Sequence, residues 1–370
     1  MIHYSGNGPH RHDAPARTGI LITNLGTSEA PSAQSVRRFL AEFLSDPCVI
    51  ELPRWLWWPI LHGIILRLRP SKVAHLYQRI WMDDGSPLYV YSRRLAAALE
   101  SRLAARQHDL VQVELGMRYG QPSIAAALER MRQSNVQRLL VLPLYPQYSA
   151  TTTGSTFDAV ADVLRRWRWV PELRFVGHYH DDENHIEALA QSISAHRAAH
   201  GPPDRLLFSF HGLPRHYFLA GDPYYCHCQK TARLVAARLA LPDGSWAVSF
   251  QSRFGPREWL QPYTQKLLGQ WAKSGVRHVQ VICPGFAVDC LETLDEIQIL
   301  NKETFLGAGG SQFSYIPALN DSAGQVDALL ALIDRHCRGW KKHGPEMSAA
   351  DIQRELQETK QRAARLGATQ

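Results

Sequence analysis

Short apolar runs without helical period alternate along this chain with segments that repeat apolar residues every three to four positions, and that alternation narrows the possible folds more than any other feature. The runs lie at 19–24, 111–116, 138–143, 172–176, 206–210, 246–250 and 279–283. Helical patterns fall near 33–44, 73–80, 92–105, 123–133, 157–167, 184–199, 230–239, 264–273 and 291–304, with a last one over 323–336. Strands joined by helices predict right-handed βαβ units and parallel sheets. The pattern occurs twice, with a change of direction around 169–180, although no repeat of residues is visible. A chain of 370 residues exceeds one small core. The expectation is an α/β protein with two similar doubly wound, Rossmann-like domains facing across a cleft. The first spans 17–168 and the second 169–321, with a flexible N-terminus at 1–16 and a polar extension at 338–370.

One of these runs ends on chemistry. LLFSFHGLP at 206–214 stops abruptly at His211, followed by Gly212 and Pro214. Ligands bind outside the carboxyl ends of strands in open α/β sheets. An imidazole there exchanges protons near neutral pH or binds a metal as the neutral ring; the plainer alternative is a histidine capping a turn. Past the run at 279–283, a helix opening near Asp289 puts Asp289, Glu292 and Glu296 at i, i+3 and i+7, on one face. Asp289 alone would read as an N-cap. Asp295 falls off that face and is expected in solvent. A histidine opposite a ladder of carboxylates suits moving protons one way and a divalent cation the other.

Composition closes off other classes. Hydrophobic residues make up 45% and charged residues 20%, an ordinary globular balance. No stretch of about 20 apolar residues exists to span a bilayer. The N-terminus lacks the apolar core of a secretory signal; its His3, His10 and His12 suit a frayed tail better than a metal site. The six cysteines form no disulfide framework, which fits a reducing, cytoplasmic location. Cys226-His227-Cys228 lacks the usual zinc spacing. The net charge of +7 comes without a nucleic-acid recognition motif, so an acidic small molecule or an anionic membrane surface is the expected partner. NLGTSEAP at 24–31 is neither a dinucleotide fingerprint nor a P-loop. The run WLWWPILHGIIL, Trp55 to Leu66, is too short to span. It reads either as a buried helix entered through Pro59 or as an apolar lip over a cleft that touches a membrane. The segment 350–366 suits a polar helix.

The chain resembles the ferrochelatases. FSFHGLP at 208–214 is similar to the histidine signature of that family, and GFAVDCLETLDEI at 285–297 to its acidic helix. GDPYYCHCQKT at 221–231, SFQSRFGPREWLQPYT at 249–264, LYPQYSATTTGS at 144–155, GSP at 85–87 and NLGTSEAP at 24–31 follow in register. The resemblance covers roughly 17 to 336. It implies insertion of Fe²⁺ into protoporphyrin IX with release of two protons, a lyase activity that completes haem biosynthesis. It implies His211 as base or metal contact, Glu292 as its metal or proton partner, and Glu296 and Asp289 as a path along the helix. It places Asn24, Leu25, Arg69, Ser86, Arg118, Tyr145, Trp259 and Phe286 around the porphyrin, and the lip at its entrance. It brings the helix at 322–337 back onto the first domain. No prosthetic group is expected; Ala150 and the lone C-terminal Cys337 argue against a [2Fe–2S] cluster. The chain is expected to act as a monomer. A chelatase for another divalent metal or for coproporphyrin, or a non-catalytic tetrapyrrole-binding protein, are the alternatives.

Overall fold

The structure, a computed structural model, describes residue 4 and residues 12–106, 110–340 and 349–368. His3 and His10 lie outside them. The strands form two four-stranded sheets. The first contains β1 (Arg17–Gly26), β2 (Val111–Tyr119), β3 (Val136–Pro143) and β4 (Glu172–Phe175), in the order β2-β1-β3-β4. The second contains β5 (Arg205–His211), β6 (Trp246–Gln251), β7 (His278–Ile282) and β8 (Gln312–Ile316), in the order β6-β5-β7-β8. Every pairing is parallel. The two sheets therefore share one topology, as the alternation predicts.

Two expectations are corrected. β8 was not anticipated: QFSYI is an edge strand exposed at its start, too short and mixed to stand out as an apolar run. β4 pairs with β3 through Leu139↔Leu173 and Val141↔Phe175, so the first α/β unit extends through Phe175 rather than ending at 168. Its burial pattern is weak because it closes an edge.

Helices cover both faces of each sheet. Leu21, Leu139 and Val141 pack under the helices Ile124–Gln133 and Ser155–Leu164. Leu207, Val279 and Val281 do the same under Thr264–Lys273 and the segments after β7. On the other faces, the final helix of each unit crosses over. Val326, Leu329 and Ile333 of Ala323–His336 join Ile20, Ile22, Leu140 and Leu142 of the first sheet. Ile186, Leu189 and Ile193 of Glu183–His200 join Leu206, Phe208 and Phe210 of the second. The expected return of 323–336 to the first unit is thus matched by a reciprocal crossing.

An insertion between β1 and β2 carries the tryptophan-rich run. The helix Arg54–Ile60 passes through a π-turn, Leu61–Ile65, into Leu66–Ile80. Trp57, Leu61 and Ile65 pack on Phe39, Leu40 and Leu44, and the Trp57 indole N–H donates to the Leu44 carbonyl at 2.7 Å. Trp55 is 79% exposed, and Trp58, Ile64 and Leu68 also face solvent. The two readings of this run are therefore both half right: one face is core, the other a bare apolar rim. Pro59 sits inside the helix rather than at its entrance. Among the described residues no helix is long and apolar enough to cross a membrane. The C-terminal helix, Ala349–Arg365, falls where the sequence places it, and its Lys360 pairs with Asp13 at 2.8 Å.

Candidate active site

His211 is the last residue of β5 and lies beside Gln251, the last residue of β6. The chain then turns at Gly212, whose N–H donates to the Gln251 carbonyl at 2.8 Å. A Cβ there would lie 2.7 Å from that carbonyl oxygen and 3.0 Å from Trp259, so glycine is required for the turn to close. The His211 Nδ1 is 2.6 Å from the Gly212 carbonyl. A carbonyl only accepts, so Nδ1 carries a proton, and in the neutral ring the lone pair is on Nε2. Trp259 and Phe286 flank the imidazole with ring centroids at 6.4 and 6.5 Å. The histidine is thereby oriented and walled.

The acidic segment departs from the α-helix expected. Glu292–Asn301 is a π-helix, continued by the α-helix Lys302–Gly307. Its i→i+5 bonding gives about 4.4 residues per turn, so residues four apart come into line. Glu292 and Glu296 share a face; Asp289 lies before the helix and leaves the ladder. The Asp289 carboxylate accepts from Tyr315 at 2.6 Å, Asn320 at 2.7 Å and Thr293 at 2.9 Å, which ties the segment to the end of β8. Asp295 is off the face as expected but not in solvent: it is 1% exposed and pairs with Arg79 at 3.2 Å. Burial still raises its carboxyl above the usual range, against the pull of Arg79.

Glu296 is gripped from β6. It accepts the Ser252 N–H at 2.7 Å and, through a very short bond, the Ser252 hydroxyl. Ser252 has φ 62°, a left-handed conformation costly for a residue with a Cβ; the turn points both its donors at one carboxylate. The Gln251 amide donates to the Glu292 carbonyl at 2.8 Å and binds β6 to the same helix. Burial raises the Glu296 carboxyl; Ser252 and the nearby His211 pull it down, and the charge of Glu292 pushes it up. A raised carboxyl costs stability as pH climbs from its unfolded value, near 4.5, through its folded value. The Glu296→Gln protein is therefore expected to melt above wild type at pH 7–8 and to lose that advantage in mild acid. Melting curves across pH check it; a loss at pH 7–8 that disappears in mild acid would show instead that the charge is stabilising.

The remaining expected residues lie on several elements, a number of them with structural duties. The Asn24 amide donates to Ser92 at 3.1 Å, and Leu25 and Phe286 each pack against the same core. Ser86 is buried and caps the helix Pro87–Ala104. The Arg118 guanidinium bonds Ser155 at 2.7 Å and makes a very short ion pair with buried Asp46, so it stands as the strand-end salt bridge. Arg69 is half-buried, stacks 4.5 Å over Phe254, and has no carboxylate partner among the described residues. The Tyr145 hydroxyl is buried without a hydrogen-bond partner among the described residues, and burial pushes its phenol up. Gln251, Ser252 and Asp46 were not foreseen. Gln251 was within reach as the residue facing His211 across two parallel strands; the other two depend on tertiary contacts.

Relatives carry the same span. A sequence profile of the family described as Ferrochelatase matches residues 17–337. The chain is 56% identical over 369 residues to a protein named Ferrochelatase from Nitrosococcus oceani, covering all of both chains. It is 50% identical over 367 residues to a protein of the same name from Thioalkalivibrio sulfidiphilus, covering 99% of this chain and all of that one. Among solved structures, SirB from Bacillus subtilis with Fe³⁺ superposes with a TM-score of 0.52 over 88% of this chain and 98% of that one, at 12% identity, a likeness of fold. A family match over residues 17–337 and near full-length identity to those relatives leave one conclusion: the chain belongs to the ferrochelatase family.

Proposed function

We propose that the chain inserts Fe²⁺ into protoporphyrin IX, releasing two protons to give protohaem. The observation that supports this reading is the setting of His211: Nδ1–H is held on the Gly212 carbonyl, and the ring is close enough to the half-buried Glu296 to pull its carboxyl down, while Glu292 acts on the same carboxyl. Insertion must strip two pyrrole N–H protons from a ring whose lone pairs lie in its plane. A site that binds the ring bent exposes those groups and lowers the barrier. His211 Nε2 takes a proton or touches the incoming metal; Glu292 receives metal or proton, and Glu296 relays it toward Ser252. Trp259, Phe286 and Leu25 supply apolar walls. Arg69, whose guanidinium has no carboxylate partner among the described residues, anchors a propionate. Tyr145 offers its orphaned hydroxyl to the ring, and Asn24, Ser86 and Arg118 shape the wall behind it.

The enzyme works as a monomer without a resident cofactor. Cys226 is exposed while Cys228 is buried, so the two thiols do not present one face to a cluster. The rim of Trp55, Trp58, Ile64 and Leu68 rests against a membrane surface beside the porphyrin entrance.

Anaerobic absorbance spectra of the protein mixed with Fe²⁺ and protoporphyrin IX test the activity. Conversion to the haem spectrum is expected. Turnover only with coproporphyrin, or only with cobalt or nickel, would replace the assigned substrate; porphyrin binding without insertion of any metal would make the protein a carrier. The rim is tested separately. Ile64→Glu should raise the porphyrin KM several-fold with an unchanged melting temperature. Trp57→Glu buries a charge at a cost of several kcal/mol and should unfold the protein. Equal melting losses at both positions would end the rim reading.

A further inference from the structure

A second set of metal-ligating side chains lies apart from His211. After β4 the chain turns through 176–182 before the helix Glu183–His200. In that turn His178, His180 and Asp181 each present one ligand atom, and these atoms lie within 4.8 Å of one another. His180 is 4% exposed, and its Nδ1 is buried without a hydrogen bond. The nearest Asp181 oxygen, at 3.7 Å, is too far to supply one. A ring nitrogen buried without a partner is costly unless another group takes its lone pair.

The surroundings hold this ring in place. His227 stacks on it with centroids 3.7 Å apart and planes 7° from parallel. The Thr231 hydroxyl donates to the His180 carbonyl at 2.7 Å. His227 is a wall rather than a ligand at Nδ1, because that atom accepts the Tyr148 N–H at 3.2 Å. His178 is exposed and opens the group to solvent. An enclosed, oriented nitrogen with two movable donors at its mouth is the form of a cation site rather than of a packed core.

We propose that His178, His180 and Asp181 form a second divalent-cation site, separate from the one at His211 and independent of the reaction assigned there. Two imidazoles and one carboxylate suit a borderline metal such as Zn²⁺, Co²⁺ or Fe²⁺ and not the hard ions Mg²⁺ and Ca²⁺. Donors about 2.0–2.1 Å from a tetrahedral metal stand roughly 3.3 Å apart, so small rotations of His178 and Asp181 close the set. Water completes the shell on the open side. Lys230 pairs with the other oxygen of Asp181 at 2.5 Å and opposes the incoming charge, which keeps the site weaker than a structural metal centre.

Titration of the full chain with Co²⁺, followed by its visible ligand-field absorption and by calorimetry, tests the site. His178→Ala and Asp181→Asn should each lose one equivalent of bound Co²⁺ with melting temperatures unchanged, since neither side chain is fully buried. His211→Ala should retain that equivalent. Lys230→Gln should bind it more tightly. The same number of equivalents in His178→Ala, Asp181→Asn and wild type would overturn the proposal, as would loss of the equivalent in His211→Ala or an absence of tightening in Lys230→Gln.

Discussion

The His211→Ala protein is expected to bind protoporphyrin about as well as wild type and to insert metal about 10²–10⁴-fold more slowly, the usual cost of a lost general base. That loss is equivalent to roughly 3–5 kcal/mol on the barrier. The fold should survive. His211 is half-buried, its one hydrogen bond is to the neighbouring residue, and such a bond contributes only about 1 kcal/mol. The walls of Trp259 and Phe286 remain. Fluorescence titration with porphyrin, beside single-turnover insertion, separates binding from chemistry. Near wild-type turnover would take the imidazole out of the reaction and leave Glu292 and Glu296 to carry the protons.

The largest loss of stability is expected at Gly26→Ala. Gly26 ends β1 with φ +101°, and a Cβ built there lies 1.8 Å from the Tyr119 carbonyl oxygen. Neither backbone can yield easily. Tyr119 is fully buried, and its hydroxyl donates to Asp46 at 2.7 Å, the same carboxylate that holds Arg118 and Ser155. A shift of β2 would break this buried network as well as the strand end. A loss above about 4 kcal/mol follows, the range reserved for such clashes, and a melting midpoint lower by roughly 10 °C. Gly63→Ala is the control, since a Cβ there meets nothing within 4 Å. Similar melting of the two variants would show that the β1–β2 contact is loose.

Much of this was legible in the chain because it depends on local pattern. Apolar runs and helical periods located seven of the strands, and the helices Ala33–Leu44, Thr264–Lys273 and Ala323–His336 match the pattern end to end. His211 stood out because the strand-ending imidazole before Gly-x-Pro comes in the same chain as a run of carboxylates after a neighbouring strand. The acidic ladder was misread because counting by 3.6 assumes an α-helix. The π-helix shifts the aligned pair to Glu292 and Glu296 and turns Asp295 onto Arg79, a partner more than 200 residues earlier in the chain. The split of the tryptophan run into core and rim, the capture of Arg118 by Asp46, and the place of β4 in the first sheet are all set by contacts between distant segments. No periodicity records those.

The reciprocal crossing of the two final helices bears on motion. Each sheet completes its core with the helix that follows the last strand of the other sheet. The pair is built like a swapped dimer whose two protomers have been joined. Each lobe is therefore a sheet together with the helix packed on it, Ala323–His336 on the first and Glu183–His200 on the second, and the lobes are joined through the short segments 176–182 and 317–322. Two connections side by side leave a hinge that opens and closes without disturbing either core and resists twisting. Entry of a large ring can then draw on that hinge as well as on the rim helix and the side chains at the mouth.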